Sequence, residues 1–139
     1  MSGLDMADRD SRLWWEAVAR HELLLQRCAE CGAARWPPRA ICNRCGSLEW
    51  RWEQSAGRGT VASWIVNHHV FGPGTEPPYV VVLVRLDDQS DILMPGGWAG
   101  PRDGSGLAVG LPVVVGFQDV AGEDSGDGQG SALLRWSPA

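Results

Sequence analysis

The chain contains no lysine. All 12 of its basic residues are arginines, set against 17 acidic residues, for a formal net charge of -5 and a pI near 5.1. Broad binding to a phosphate backbone needs a basic surface, so this balance argues against nucleic acid as a partner. The chain also lacks any apolar run approaching the length of a membrane helix. Residues 1–12 lack the basic-then-apolar pattern of a secretory signal, so the expectation is a cytoplasmic protein with no membrane partner. Phosphate-cradling and dinucleotide-binding glycine patterns are absent as well. Tyrosine and phenylalanine are scarce, one and two residues, whereas there are eight tryptophans. Tryptophan is large and is often found at partly buried contact surfaces, so some of these are expected to serve a partner.

No cysteine lies outside a single stretch. It reads Cys28-Ala-Glu-Cys31-Gly32 and, after ten residues separating Cys31 from Cys42, Cys42-Asn-Arg-Cys45-Gly46. Two cysteines two residues apart can aim both sulfurs at one ion. A glycine directly after each pair can take the φ > 0 conformation that folds the backbone back and turns N–H groups toward the sulfurs. Cys28, Cys31, Cys42 and Cys45 therefore suit a four-thiolate, tetrahedral, structural Zn2+ site. Disulfides would need an oxidising compartment. A redox Cys-x-x-Cys would use one pair and waste the other. Iron in a rubredoxin-like centre is the remaining alternative. Zinc in a closed four-sulfur site has no open position for substrate, so the ion is expected to fold the chain and not to catalyse.

The patterning gives a mainly β chain in three segments: an N-terminal helical segment over 1–22, a zinc ribbon over 23–56 and a barrel over 57–139. Asp10 or Ser11 can cap a helix running to about Arg20, with Leu13, Trp14, Ala17 and Val18 at helical spacing. Trp15 lies about 100° round that helix from Trp14, so the apolar face is wide or double. The helix either packs on its own domain or docks a second subunit through Trp14 and Trp15. His21 to Arg27 reads as a strand. Leu48, Trp50 and Trp52 alternate with Glu49, Arg51 and Glu53, a half-buried strand that would close the ribbon. Beyond Gly57 the strands expected are Thr60 to Phe71, with apolar residues on both faces, then Tyr79 to Leu86, Asp91 to Met94, Leu111 to Gln118 and Ala132 to Trp136. Pro95 to Gly110 is glycine-rich and non-helical, and Asp119 to Ser131 reads as an acidic loop. Five strands in this length suit a small closed OB-fold barrel.

Several stretches together resemble the DUF35 family. They are Leu13-Trp14-Trp15-Glu16-Ala17, the run from Gln26 to Gly32, Pro37-Pro38-Arg39 ahead of Cys42-Asn-Arg-Cys45, Gly59-Thr60-Val61, Pro78-Tyr79-Val80-Val81 and Gly110-Leu111-Pro112-Val113. The resemblance runs from about Leu13 to Trp136. It implies a helix or helical hairpin, a rubredoxin-like zinc ribbon and a five-stranded OB-fold barrel. It further implies an accessory subunit that scaffolds a thiolase-fold enzyme and helps enclose an acyl-CoA site, in polyketide, lipid or steroid metabolism. The sequence departs from the family pattern at Gly96-Gly97-Trp98 and in its acidic 119–131 segment.

Under that resemblance Arg35 and Arg39, which flank the stiff Trp36-Pro37-Pro38 run, are candidates to pair with a phosphate of coenzyme A, with Trp36 or Trp64 stacking on its adenine. The alternative is that both arginines are solvated ribbon residues. Self-contained catalysis has no support in the residues. His68 and His69 are adjacent in an expected strand and would face opposite sides. His21 is isolated, no thiol is free, and Asp87, Asp88 and Asp91 sit in a turn. A zinc-ribbon and OB-fold protein binding single-stranded nucleic acid, with Arg35, Arg39, Arg44 and Arg51 as a small basic patch, is the second reading; an independent acyl-CoA enzyme is the third.

Overall fold

A computed structural model describes residues 9–69, 76–120 and 131–139. The elements run α1 (Arg12–Ala19), β1 (Leu24–Cys28), β2 (Ala34–Arg35), β3 (Trp50–Gln54), β4 (Arg58–Asn67), β5 (Tyr79–Leu86), β6 (Leu93–Trp98), β7 (Pro112–Val120) and β8 (Ser131–Pro138). They fall into two compact units. One gathers the described residues up to Ala56 with those of Gln118–Leu133; the other holds Gly57–Phe117 and Leu134–Ala139.

In the first unit α1 buries Trp14, Ala17 and Val18, the three- and four-residue spacing of one helix face. Ser11 occupies the N-cap position but makes no side-chain cap; the first turn closes when Trp15 N–H donates to the Ser11 carbonyl at 3.0 Å. At the other end His21 adopts φ 64°, a left-handed conformation that turns the chain out of the helix. The strand expected from His21 therefore starts only at Leu24. β1 is the centre of a three-stranded antiparallel sheet ordered β2-β1-β3, with Cys28 opposite Trp50, Gln26 opposite Trp52 and Gln26 opposite Arg35. Trp50 and Trp52 share a face, their ring centroids 5.1 Å apart. Leu48, expected to start this strand on its buried face, lies before it and is 65% exposed.

In the second unit five strands close a barrel in the order β4-β5-β6-β8-β7. The β6–β8 pairing is parallel, and β4–β5, β4–β7 and β5–β6 are antiparallel. This is the expected OB-type barrel. Period-two alternation fills it: Val80, Val82, Val84 and Leu86 of β5 and Leu134 and Trp136 of β8 are buried, alternating with more exposed neighbours. The apolar residues on both faces of β4 have a local cause. Its register against β5 shifts between Val61 and Ser63, so a bulge at Ala62 exchanges the faces.

Three sequence expectations need correction here. β4 ends at Asn67, so His68 and His69 lie past the strand, both exposed, and its expected end at Phe71 falls outside the described residues. β6 does not stop at Met94 but runs through Pro95, Gly96 and Gly97 to Trp98. Gly96 is what allows it: a Cβ there would sit 2.6 Å from the indole of the fully buried Trp136. β7 continues to Val120, two residues into the segment expected as an acidic loop; residues 121–130 of that segment are outside the described set.

Candidate metal centre

The four sulfurs are gathered by two turns and one strand. Cys28 ends β1, where its backbone is held by the sheet, and the chain then reverses through Gly32 at φ 78°. The second pair repeats the device, with Gly46 at φ 76°. Each turn closes on itself: Gly32 N–H donates to the Cys28 carbonyl at 3.1 Å, and Gly46 N–H to the Cys42 carbonyl at 2.9 Å. The same folding aims N–H groups at sulfur, Cys31 N–H at Cys28 Sγ (3.5 Å) and Arg44 N–H at Cys42 Sγ (3.4 Å).

All four Sγ atoms lie within 4.8 Å of one another, with Cys28–Cys45 and Cys31–Cys42 each at 3.6 Å. A disulfide needs about 2.05 Å, so neither pair is bonded, and all four are free cysteines. Tetrahedral zinc at about 2.3 Å from each thiolate separates the sulfurs by roughly 3.8 Å. The constellation fits one such ion. Cys28 and Cys42 are buried and Cys31 and Cys45 exposed, so the site sits at the surface edge of the ribbon.

The backbone has already prepared part of the charge. N–H groups of Cys45 and Arg44 bring the Cys42 thiol down from 9.0 to about 6. The Cys31 N–H likewise lowers Cys28. At Cys45 the Ser47 N–H pulls downward, but the neighbouring sulfur of Cys28, desolvation and the other two sulfurs outweigh it and push this thiol up to about 12. Like charges this close cannot all form. A dication removes that conflict by neutralising the cluster, which is why the set suits a metal better than four protons.

The other expected site residues are distributed unevenly. Trp14 is 2% exposed and its Nε1 donates to the Leu24 carbonyl at 2.9 Å, so it is the core member of its pair. Trp15 is half-buried and rests edge-on against Trp14, centroids 4.8 Å apart. Trp36 also lies beside Trp14, centroids 5.6 Å apart. Arg35 is buried, with Nε and Nη2 donating to the Arg39 carbonyl at 3.1 and 2.7 Å and Nη1 without a hydrogen-bond partner among the described residues. Arg39 is exposed and lines a recess of about 190 Å³ together with Leu13, Gln26 and Trp50. Of the two arginines, then, Arg39 is the one presented outward, and Arg35 supports the bend that presents it.

Two residues of this region escaped the sequence reading. Gln26 is buried within β1 and clasps the bend, giving Nε2–H to the Arg39 carbonyl (2.9 Å) and accepting the Arg39 N–H (2.8 Å). Arg27 reaches from the residue before the first ligand to the residue after the second, donating to the Gly32 carbonyl at 2.6 Å while Glu53 holds its Nε at 2.6 Å. Neither left a local signal: Gln26 stands next to Arg27 in β1, like any solvated polar pair, and the partner of Arg27, Glu53, is 26 residues away.

Family models place these two parts in one lineage. Residues 15–51 match the rubredoxin-like zinc ribbon domain of ChsH2, and residues 52–118 match the C-terminal OB-fold domain of ChsH2. A solved structure described as an Ltp2-ChsH2(DUF35) aldolase superposes with a TM-score of 0.81 at 34% identity, covering 96% of this chain and 97% of that one. The chain belongs to the DUF35 family. Curated relatives include a probable enoyl-CoA hydratase alpha subunit of Thermomonospora curvata, 39% identical over 78% of this chain and 33% of the relative. A 3-oxo-4,17-pregnadiene-20-carboxyl-CoA hydratase alpha subunit of Mycobacterium tuberculosis is 35% identical over 81% of this chain and 35% of the relative. This DUF35 chain thus spans about a third of the length of the curated relatives it matches. No helix among its described residues is long and apolar enough to cross a membrane.

Proposed function

We propose that this DUF35 chain is a non-catalytic accessory subunit that scaffolds a partner enzyme acting on acyl-CoA thioesters. The observation that carries the reading is the likeness, over almost the whole chain, to the ChsH2(DUF35) component of a structure described by two protein names and one activity. The CoA-thioester names of the curated relatives support the substrate class. The partner proposed is a thiolase-fold enzyme, with the acyl chemistry carried out on its residues.

The division of labour follows from the site. Four thiolates leave a zinc ion no open position, so the metal's role is to hold the ribbon. Trp15, half-buried and backed by Trp14, is the aromatic side chain on α1 best placed to meet a partner. Arg39, with Arg35 and Gln26 fixing its backbone and Trp36 nearby in the chain, is the candidate to face a phosphate of coenzyme A. Covering a thioester site in this way would exclude water from the reaction.

Co-expression of this chain with the thiolase-fold enzyme of its source organism, followed by size-exclusion chromatography, tests the reading. A stable heteromer is expected, with Trp15→Ala weakening it by about tenfold or more, as an aromatic anchor does, and leaving the thermal unfolding of the lone chain nearly unchanged. Turnover of an acyl-CoA by the purified chain alone would overturn it.

A further inference from the structure

The two cysteine pairs read alike in sequence but are not equally held. The first is built into the sheet. Cys28 belongs to β1 and pairs with Trp50, its N–H donates to the Ala33 carbonyl at 2.8 Å, and the next residue, Ala29, donates to the Glu49 carbonyl at 2.9 Å. Arg27 then straps the turn from outside its backbone. Its guanidinium gives Nη1–H to the Gly32 carbonyl at 2.6 Å, while Nε and Nη2 lie on the two oxygens of Glu53 at 2.6 and 3.4 Å. The Arg27 side chain is only 19% exposed, so this charge-assisted fork is partly shielded from water.

The second pair, Cys42 and Cys45, lies between β2 and β3 in no strand. Its backbone bonds run within 42–47, Cys42 N–H to Ser47 and Gly46 N–H to Cys42. The apolar residues that flank it are largely exposed: Ile41 is 56% exposed and Leu48 is 65% exposed. A turn outside the sheet, with local backbone bonds and largely exposed flanking residues, opens at lower free energy than one sewn into a sheet.

We infer that metal loss from this ribbon is ordered: the Cys42–Cys45 knuckle opens first, while Arg27, held by Glu53, keeps the Cys28–Cys31 knuckle in its ligating shape. Arg27 is thus a positioning residue for the metal, acting through the Gly32 carbonyl and not by coordination. The exposed thiol most accessible to a competing chelator or alkylating agent is then Cys45, and the Cys28–Cys31 half-site is the last to let the ion go. This inference rests on the zinc reading of the four thiols.

The test uses the zinc-loaded full chain. Metal content is measured first; a chain that binds no zinc sinks the metal reading itself, together with what rests on it. With one zinc per chain, the protein is mixed with excess chromophoric chelator. In parallel it is pulsed with N-ethylmaleimide and each cysteine's modification is followed by peptide mass spectrometry. Cys42 and Cys45 are expected to be modified before Cys28 and Cys31. Arg27→Ala should speed zinc release about three- to tenfold, the loss of one partly exposed charge-assisted hydrogen bond, and should erase the order. Arg27→Lys should restore part of both, because an ammonium can reach one acceptor but not bridge two. Glu53→Gln, which leaves Arg27 in place, should have a smaller effect in the same direction. One zinc with simultaneous or reversed modification in the unaltered chain overturns the inference and leaves the metal reading standing. So does an unchanged release rate in Arg27→Ala. Should that variant fail to fold, the order in the unaltered chain and the Glu53→Gln rate decide.

Discussion

The ribbon keeps Gln26, Arg35 and Ser55 buried, and the side chains of Gln26 and Arg35 bond to its own backbone at Arg39, whereas every fully buried residue described in the barrel is apolar or glycine. One half is tied by directed polar bonds and four sulfurs. The other is held by alternating valines and leucines packed around Met94, Trp98 and Trp136. The difference follows from what each can enclose. A three-stranded sheet with two-residue β2 has too little area to exclude water on both faces, so it needs a metal. A closed five-stranded barrel has an interior and no free edges, so side-chain volume suffices. The lesson is that damage in the two regions should be of different kinds.

The sharpest break of that contrast is Cys42→Ser. Structural zinc contributes apparent binding energies on the order of 10–16 kcal/mol in small zinc modules, more than a typical domain's whole stability. Metal analysis should find the zinc lost, and amide exchange should find β1 and β3 much less protected than in the zinc-loaded chain while β5 keeps its protection. Loss of protection in β5 as well would mean that the barrel leans on the ribbon and that the contrast is false. Next in size, Trp136→Ala empties the centre of the barrel and should cost about 3–5 kcal/mol, read from denaturant unfolding, with zinc stoichiometry unchanged. Gly96→Ala presses a methyl onto the same indole and should cost about 1–3 kcal/mol, again without effect on zinc.

The smallest effect is one of pH, in the metal-free chain. Cys42 titrates near 6 when folded against 9.0 ordinarily, so its contribution is complete above about pH 9 and is lost as pH falls through about 6. Cys45, raised to about 12, acts oppositely: above pH 9 the unfolded chain sheds that proton first, and the folded ribbon loses ground. Ribbon stability without metal should therefore peak near pH 9. Protection of ribbon amides, measured from pH 6 to 11, should pass through that maximum, and β5 should show none.

Much of this was legible in the residue order. The four ligands announced themselves by spacing, because one ion imposes one geometry on whatever carries it. The barrel announced itself by period-two runs between turn residues. What was not legible came from contacts across the sequence. Nothing in Gly96-Gly97-Trp98 says that a tryptophan 40 residues later will occupy the missing side chain, so β6 was expected to stop at Met94. A bulge in β4 cannot be seen in a run apolar on both faces. Trp14 and Trp15 are identical in type and adjacent; only the Leu24 carbonyl above one of them separates core from surface.

The sequence by itself determined that a metal-bound ribbon precedes a small β-barrel, since ligand spacing and side-chain alternation are local properties that need no partner to be read. Tertiary structure alone decided which of two like arginines is spent on a carbonyl and which faces outward, and which of two like knuckles is strapped to the sheet. Those choices depend on what the rest of the chain places within 3 Å of a guanidinium, and distance in space is not written in the spacing of residues.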